Sequence, residues 1–341
     1  MVFLIALVIY DLWLKGFMRQ FRSLLNGIIR MGKGDLESAS FEATTIDEFQ
    51  QMQQEINRTR MALSQRMDTI RRMEREQMAL ENQKKEQARM AQELSMAREI
   101  QSNALPHIFP PFPDRKEIDL FASMDPARDV DGDFYDFYFI DEDHLCLLIA
   151  DVSGKGIPAA MFMMVAKRIL EDSARMQTGV SEILQKTNEA LVENNQAEMF
   201  VTVWVGILEI STGMLSAANA GHEYPILKRK GGRFELYKDR HGFVIGGMPG
   251  VRYREYSLQL EPGDKLFIYT DGVPEATDDS GEMFGIERTV AALNACGEAN
   301  SEGILKEVRS AVDAFVGTAE QFDDLTMMCL EYKGPAGAGR T

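Results

Sequence analysis

Four short acidic clusters are the residues in this chain whose types and spacing could do chemistry. They are Asp131-Gly132-Asp133-Phe134-Tyr135-Asp136, Asp151-Val152-Ser153-Gly154-Lys155-Gly156, Thr270-Asp271-Gly272-Val273 and Asp323-Asp324-Leu325-Thr326. Each adjoins a run of strand-forming residues: Phe134 to Ile140, Leu145 to Ala150, Lys265 to Tyr269 and Leu325 to Leu330. A carboxylate at the end of a buried strand, followed by a glycine turn, can ligate a metal through its side chain while the turn brings backbone carbonyls close. Acidic residues placed where strands meet their turns can converge in space. Packed together they repel one another unless divalent cations lie between them. Oxygen-only donors select hard cations, Mg²⁺ or Mn²⁺, over zinc.

The rest of the composition narrows the chemistry. The 341 residues are 45% hydrophobic, enough for more than one domain with a real core. Net charge is −16, which excludes nucleic acid as the expected partner. The four histidines, His107, His144, His222 and His241, form no zinc-binding spacing. Cys146, Cys296 and Cys329 show no CxxC, and none is followed by an arginine six residues on. A cysteine-nucleophile phosphatase is therefore not expected, and the thiols read as free ones in a reducing compartment.

The elements that must position the clusters lie between Ile118 and Tyr332. Strands are expected near 118–124, 133–140, 144–151, 200–210, 214–219, 224–230, 234–238, 252–260, 264–270 and 325–332. Helices are expected near 158–176, 180–195, 286–295 and 301–317. Strands grouped with paired helices between them indicate an α+β domain rather than βαβ alternation. Pro106, Pro110, Pro111 and Pro113 mark its N-terminal boundary, and the Gly/Ala-rich stretch 334–341 reads as a disordered tail.

Upstream the text is helical. Residues 1–14 are apolar except for Asp11, end in Tyr10 and Trp13, and are followed by Lys15, Arg19 and Arg22. This run is expected to be the last part of a transmembrane helix with the basic residues on the cytoplasmic side. A helix from about Phe17 to Met31 is broken by Gly32-Lys33-Gly34-Asp35-Leu36, and a second begins near Ile46-Asp47-Glu48-Phe49. This order resembles a HAMP domain, the parallel dimeric relay of membrane sensors, over residues 15–66. The heptad then continues through Phe49, Ile56, Leu63 and Ile70, turns polar at Gln77 and Lys84, and shifts register at Met90, Leu94 and Ala97. Residues 67–106 are thus expected to be a coiled-coil signalling linker.

The blocks AREIQSNALP, GDFYD, ADVSGKG, NAGHEYP, YTDGVPEA and FDDLT, in that order, resemble the PPM metal-dependent serine/threonine phosphatases, and most closely their bacterial SpoIIE-type branch. The resemblance covers about residues 92–332. It implies an αββα sandwich over residues 107–333 with two Mn²⁺ or Mg²⁺ ions between the sheets. The matching positions imply Asp133 near the metals, Asp151 bridging both, the Val152 carbonyl as a ligand, and Asp271 and Asp323 completing the site. Asp324 and Asp136 are implied as auxiliary residues. Asp131 stands where the family usually has glycine. The implied activity is hydrolysis of a phosphoserine or phosphothreonine protein, typically a STAS-type anti-sigma factor antagonist, by a metal-activated water attacking phosphorus. A homodimer through the HAMP and coiled-coil region at the bacterial inner membrane, with the catalytic domain in the cytoplasm, is the expected setting. Two alternatives stand beside it: a membrane-tethered nucleotide cyclase, from the likeness of DGDFYD to a GGDEF-like block, and a non-catalytic phosphatase-like scaffold.

Overall fold

The computed structural model describes residues 1–37, 47–128, 130–176, 179–193 and 195–335. The chain forms two compact units, Met1–Met90 and Ala91–Thr341.

In the first unit, α1 (Val2–Gly32) is one unbroken helix that includes the apolar N-terminal run. No described helix is long and apolar enough to cross a membrane. The reason is local: Asp11, Lys15, Arg19 and Arg22 cut the apolar stretch short of the ~20 residues a span requires. Leu24 and Gly27 are the buried residues of α1, and the Arg60 guanidinium donates to the Leu36 carbonyl at 3.0 Å. α1 ends at Gly32, where the Gly32–Leu36 break is expected; the rest of the connector, 38–46, lies outside the described residues, as do 336–341 of the expected tail. The second helix, α2 (Asp47–Ala104), which passes from the first unit into the second at residues 90–91, runs 58 residues without a glycine or proline, which is why nothing interrupts it before Pro106. Along it Leu63, Ile70, Met73 and Leu80 are exposed.

The second unit is a four-layer sandwich. One sheet has the order β1-β10-β9-β6-β7 and the other β2-β3-β4-β5-β8. The first comprises β1 (Ile118–Asp125), β6 (Ile226–Lys228), β7 (Phe234–Leu236), β9 (Asp264–Tyr269) and β10 (Leu325–Tyr332). The second comprises β2 (Phe134–Phe139), β3 (His144–Val152), β4 (Val201–Glu209), β5 (Met214–Ala220) and β8 (Glu255–Gln259). Every pairing is antiparallel. Helices α3 (Ile157–Met176) and α4 (Val180–Glu193) pack on the second sheet; α6 (Gly285–Ala295) and α7 (Ser301–Val316) pack on the first. Short α5 (Gly272–Glu275) follows β9. Strands β3 and β9 are buried along almost their whole length, their apolar runs Leu145–Ala150 and Leu266–Tyr269 being covered on both faces. One core fills the space between the sheets and under α3 and α4, around Trp204, Leu147 and Ile149. A second lies between the first sheet and α6–α7, around Phe267, Leu293 and Ile304.

All ten expected strands form, with ends shifted by a few residues, and so do the four expected helices of this unit. The αββα layering follows. Helix α5 was not expected, because its four residues carry no periodic signal.

Candidate metal centre

Antiparallel register explains why the four clusters meet. Phe134 pairs with Ala150, so the start of β2 lies beside the end of β3. Met327 pairs with Tyr269, so the start of β10 lies beside the end of β9. Residues 131–133 and 151–152 thus share one end of the second sheet, while 271 and 323–324 share one end of the first. Two glycines let the backbones close up. A Cβ on Gly132 would stand 2.8 Å from the Val152 carbonyl oxygen, and one on Gly272 would collide with the Asp324 carbonyl.

Asp133 joins the two sheets. Its Oδ2 accepts hydrogen bonds from Thr270 Oγ1 at 2.7 Å and Thr326 Oγ1 at 2.6 Å, one residue from each strand end opposite. Burial, then the Asp151 and Asp324 charges, hold its carboxyl well above the usual range despite both hydroxyls. Asp151 is likewise pushed up by burial and by Asp271, with Asp133 as its hydrogen-bonded neighbour. Asp324 is pushed up by burial and by Asp131 and Asp323, although its Oδ1 accepts from the Ala127 amide at 2.7 Å. Asp271 is raised to about 6 by burial, Glu275 and Asp323. Asp323 Oδ2 accepts from Lys155 Nζ at 2.7 Å, and its Oδ1 from the Asp324 amide at 3.0 Å.

Asp131, part of the first acidic motif and the residue that departs from the family's glycine, belongs to this group. One carboxylate oxygen from each of Asp131, Asp323 and Asp324 lies within 4.8 Å of the others. Asp131 Oδ1 accepts from the Gly132 amide, but its buried Oδ2 has no hydrogen-bond partner. A buried carboxylate oxygen without a donor, facing other carboxylates, is costly unless a cation fills the gap. The donor set is entirely oxygen, so the group fits a hard divalent cation.

The structure brings Asp133, Asp151, Asp271, Asp323 and Asp324 into this acidic pocket with the buried Val152 beside them. It does not bring Asp136. That residue faces α3, where its Oδ2 pairs with Lys167 Nζ at 2.5 Å, and the charges acting on it are Lys167 and Glu171. Alternation along β2 turns residues 133 and 136 to opposite faces. Sequence reasoning assigned no role to Thr270, Thr326, Lys155, Glu275 or Glu223. The threonines stood inside the quoted motifs; the carboxyl of Glu223 is raised by burial, then by Asp271 and Glu275. His222 follows β5. Burial pushes its imidazole down to about 3, so it is neutral, and its Nδ1 is 2.9 Å from Thr202 Oγ1. Gln101, near the end of α2, grips the cluster from behind: its Nε2 donates to the Asp131 carbonyl at 2.5 Å and its Oε1 accepts from the Asp131 amide at 3.3 Å.

Comparison with known proteins agrees with this architecture. The family model described as Stage II sporulation protein E (SpoIIE) matches residues 141–333. Protein IcfG of Synechocystis sp. is 32% identical over 265 residues, covering 70% of this chain and 41% of its own length. Phosphoserine phosphatase RsbU of Bacillus subtilis is 29% identical over 169 residues, covering 50% of each chain. The chain thus spans about half or less of the curated relatives it matches. The SiaA-PP2C domain of Pseudomonas aeruginosa superimposes with a TM-score of 0.63 at 22% identity, covering 72% of this chain and 97% of that domain. Such a likeness speaks for the fold. With the matched segment running from the β2–β3 turn to the end of β10, and with acidic motifs at the strand ends of a PP2C sandwich, this chain belongs to the SpoIIE family.

Proposed function

We propose that the chain is a metal-dependent protein serine/threonine phosphatase acting on a phosphorylated regulatory protein, and that its substrate carries a STAS-type fold. The observation that carries this is the convergence of carboxylates from the ends of both sheets, several held above their usual range by burial and by one another. Asp133, Asp151, Asp271 and Asp323 would hold the cations with the Val152 carbonyl, and Asp324 and Asp131 would flank them. When bound, two Mn²⁺ or Mg²⁺ ions supply the charge compensation and the acidified water that phosphomonoester hydrolysis requires. The chain's own groups set the geometry. Thr270 and Thr326 fix the Asp133 carboxylate, the Ala127 amide fixes Asp324, and Lys155 fixes Asp323. A thiol route has no support: Cys146 and Cys329 are buried and pushed up to about 12. RsbU, which bears the name phosphoserine phosphatase, supports the substrate class.

The N-terminal unit fits a sensor input. Residues 15–66 would form a HAMP domain, and the exposed Leu63, Ile70, Met73 and Leu80 of α2 would pair with those of a second copy. Residues 1–14 would attach to the inner membrane, with residues 107–333 in the cytoplasm. Because α2 continues unbroken to Ala104 and Gln101 grips Asp131, a register change in the coil would reach the metal-holding loop.

The test is hydrolysis of a phosphoserine protein with and without Mn²⁺. Asp151→Asn is expected to lower kcat/KM by at least about 100-fold and to weaken Mn²⁺ binding measured by calorimetry. Wild-type protein that binds Mn²⁺ and releases no phosphate from any phosphoserine protein would leave the scaffold alternative.

A further inference from the structure

Beside the acidic pocket a second concavity opens, with a floor of small and aliphatic side chains set among polar ones. It measures about 240 Å³ and lies between α5, the C-terminal end of α7 and residues 317–325. Ala276, Val312, Val316, Ala319 and Leu325 line it, and Asp323 forms part of its edge, so it is continuous with the acidic pocket. Its polar wall groups are already engaged. Arg309 Nε donates to Asp313 at 2.8 Å, and its Nη1 lies 2.6 Å from Asp125 Oδ2 as an ion pair, without the alignment of a hydrogen bond. Gln321 Nε2 donates to the carbonyls of Asp125 and Asp323 at 2.7 and 2.8 Å. Thr277 Oγ1 donates to the Glu275 carbonyl at 2.7 Å. The Arg309, Gln321 and Thr277 donors are thus spent within the chain, which leaves the aliphatic side chains as the surface open to a neutral ligand.

At the edge stands Phe322, 63% exposed yet held in place. Lys155 Nζ donates to its carbonyl at 3.0 Å and sits 4.4 Å from its ring centroid. An exposed aromatic ring fixed beside a pocket has the character of an interface anchor. The volume is below the ~300 Å³ at which drug-sized ligands begin to fit, so a single side chain suits it better than a nucleotide or cofactor. Asp313, Glu320 and Asp323 around the pocket disfavour an anionic occupant.

We propose that this pocket receives an aliphatic side chain that the phosphoprotein substrate carries one or two positions from its phosphoserine. The proposal rests on the phosphatase activity inferred above. Adjacent residues of an extended chain lie about 3.3–3.6 Å apart along its axis, so one segment can place its phosphate on a cation held beside Asp323 and a neighbouring side chain in the pocket. The pocket would thereby select sequence context around the phosphoserine.

The experiment uses the full chain with Mn²⁺ and a set of phosphoserine peptides carrying Leu, Ala or Asp at the flanking positions. At the responsive position, Leu is expected to exceed Ala in kcat/KM by about tenfold or more, with Asp poorest. Ala319→Phe, which fills the pocket, is expected to erase the preference for Leu. Val316→Ala, which enlarges it, is expected to move the preference toward Phe, and serves should the first variant fold poorly. A flat wild-type profile, or a filled pocket that keeps the Leu preference, overturns the proposal. Turnover of p-nitrophenyl phosphate with all peptides treated alike removes only the pocket. No Mn²⁺-dependent turnover of either removes the phosphatase activity beneath it and the pocket proposal with it.

Discussion

At the scale of single residues, the acidic pocket trades stability for a metal site. Asp271 has an ordinary pKa of 3.8 and sits at about 6 in the fold, with Asp133, Asp151 and Asp324 displaced in the same direction. A raised carboxyl means the folded chain binds more protons than the unfolded one. Its stability contribution is therefore present below pH 4 and lost as pH rises through the folded value. In EDTA the melting temperature should fall as pH is raised from about 4 through 6 and beyond, and saturating Mn²⁺ should remove most of that fall. Differential scanning calorimetry checks this, and a flat EDTA profile would refute it. Gly272 carries a second expectation. Because any Cβ there meets the Asp324 carbonyl, Gly272→Ala should destabilise the fold by about 1–3 kcal/mol in urea unfolding and weaken Mn²⁺ binding together.

At the scale of elements, helix α3 is tied to β2 by a nearly buried ion pair. The side chains of Lys167 and Asp136 are only 12% and 6% exposed. Lys167→Met leaves the carboxylate without its partner and should cost about 3 kcal/mol; Lys167→Met combined with Asp136→Leu should recover much of it. Urea midpoints of the three variants decide. This pair shows where sequence reasoning stops. The strands were legible because β3 and β9 contain the apolar runs Leu145–Ala150 and Leu266–Tyr269, and β1 alternates buried and partly exposed residues between Pro113 and Pro126. The acidic motifs were legible because carboxylates abut those runs. Which carboxylates face which partners was not, since that depends on the register between strands and on the helix laid across them. Asp136 therefore looked like a member of the acidic group and is α3's counter-ion, whereas Asp131 looked like a turn substitution and lies against Asp323 and Asp324. Thr270 and Thr326 gained their role only when one sheet was laid over the other.

At the scale of the whole molecule, α2 bears an apolar seam, with Leu63, Ile70 and Met73 at 42%, 54% and 62% exposure. A monomeric chain would leave these in water, so self-association is expected at micromolar concentration. Leu63→Asp combined with Ile70→Asp should convert the sedimenting species to a monomer; an unchanged sedimentation coefficient would count against pairing through this helix. The strand order carries a different consequence. Strand β10 lies between β1 and β9, in the interior of its sheet, yet it is the last-synthesised of the ten described strands. While the polypeptide is still being translated, β1 and β9 have no common neighbour, and the Asp133 carboxylate lacks the Thr326 hydroxyl that anchors it. A nascent chain halted before Leu325 already contains the aspartates of all four motifs but cannot assemble the central part of the first sheet. The acidic group is therefore completed in one late step, and a chain terminated early would carry its aspartates without the frame that brings them together.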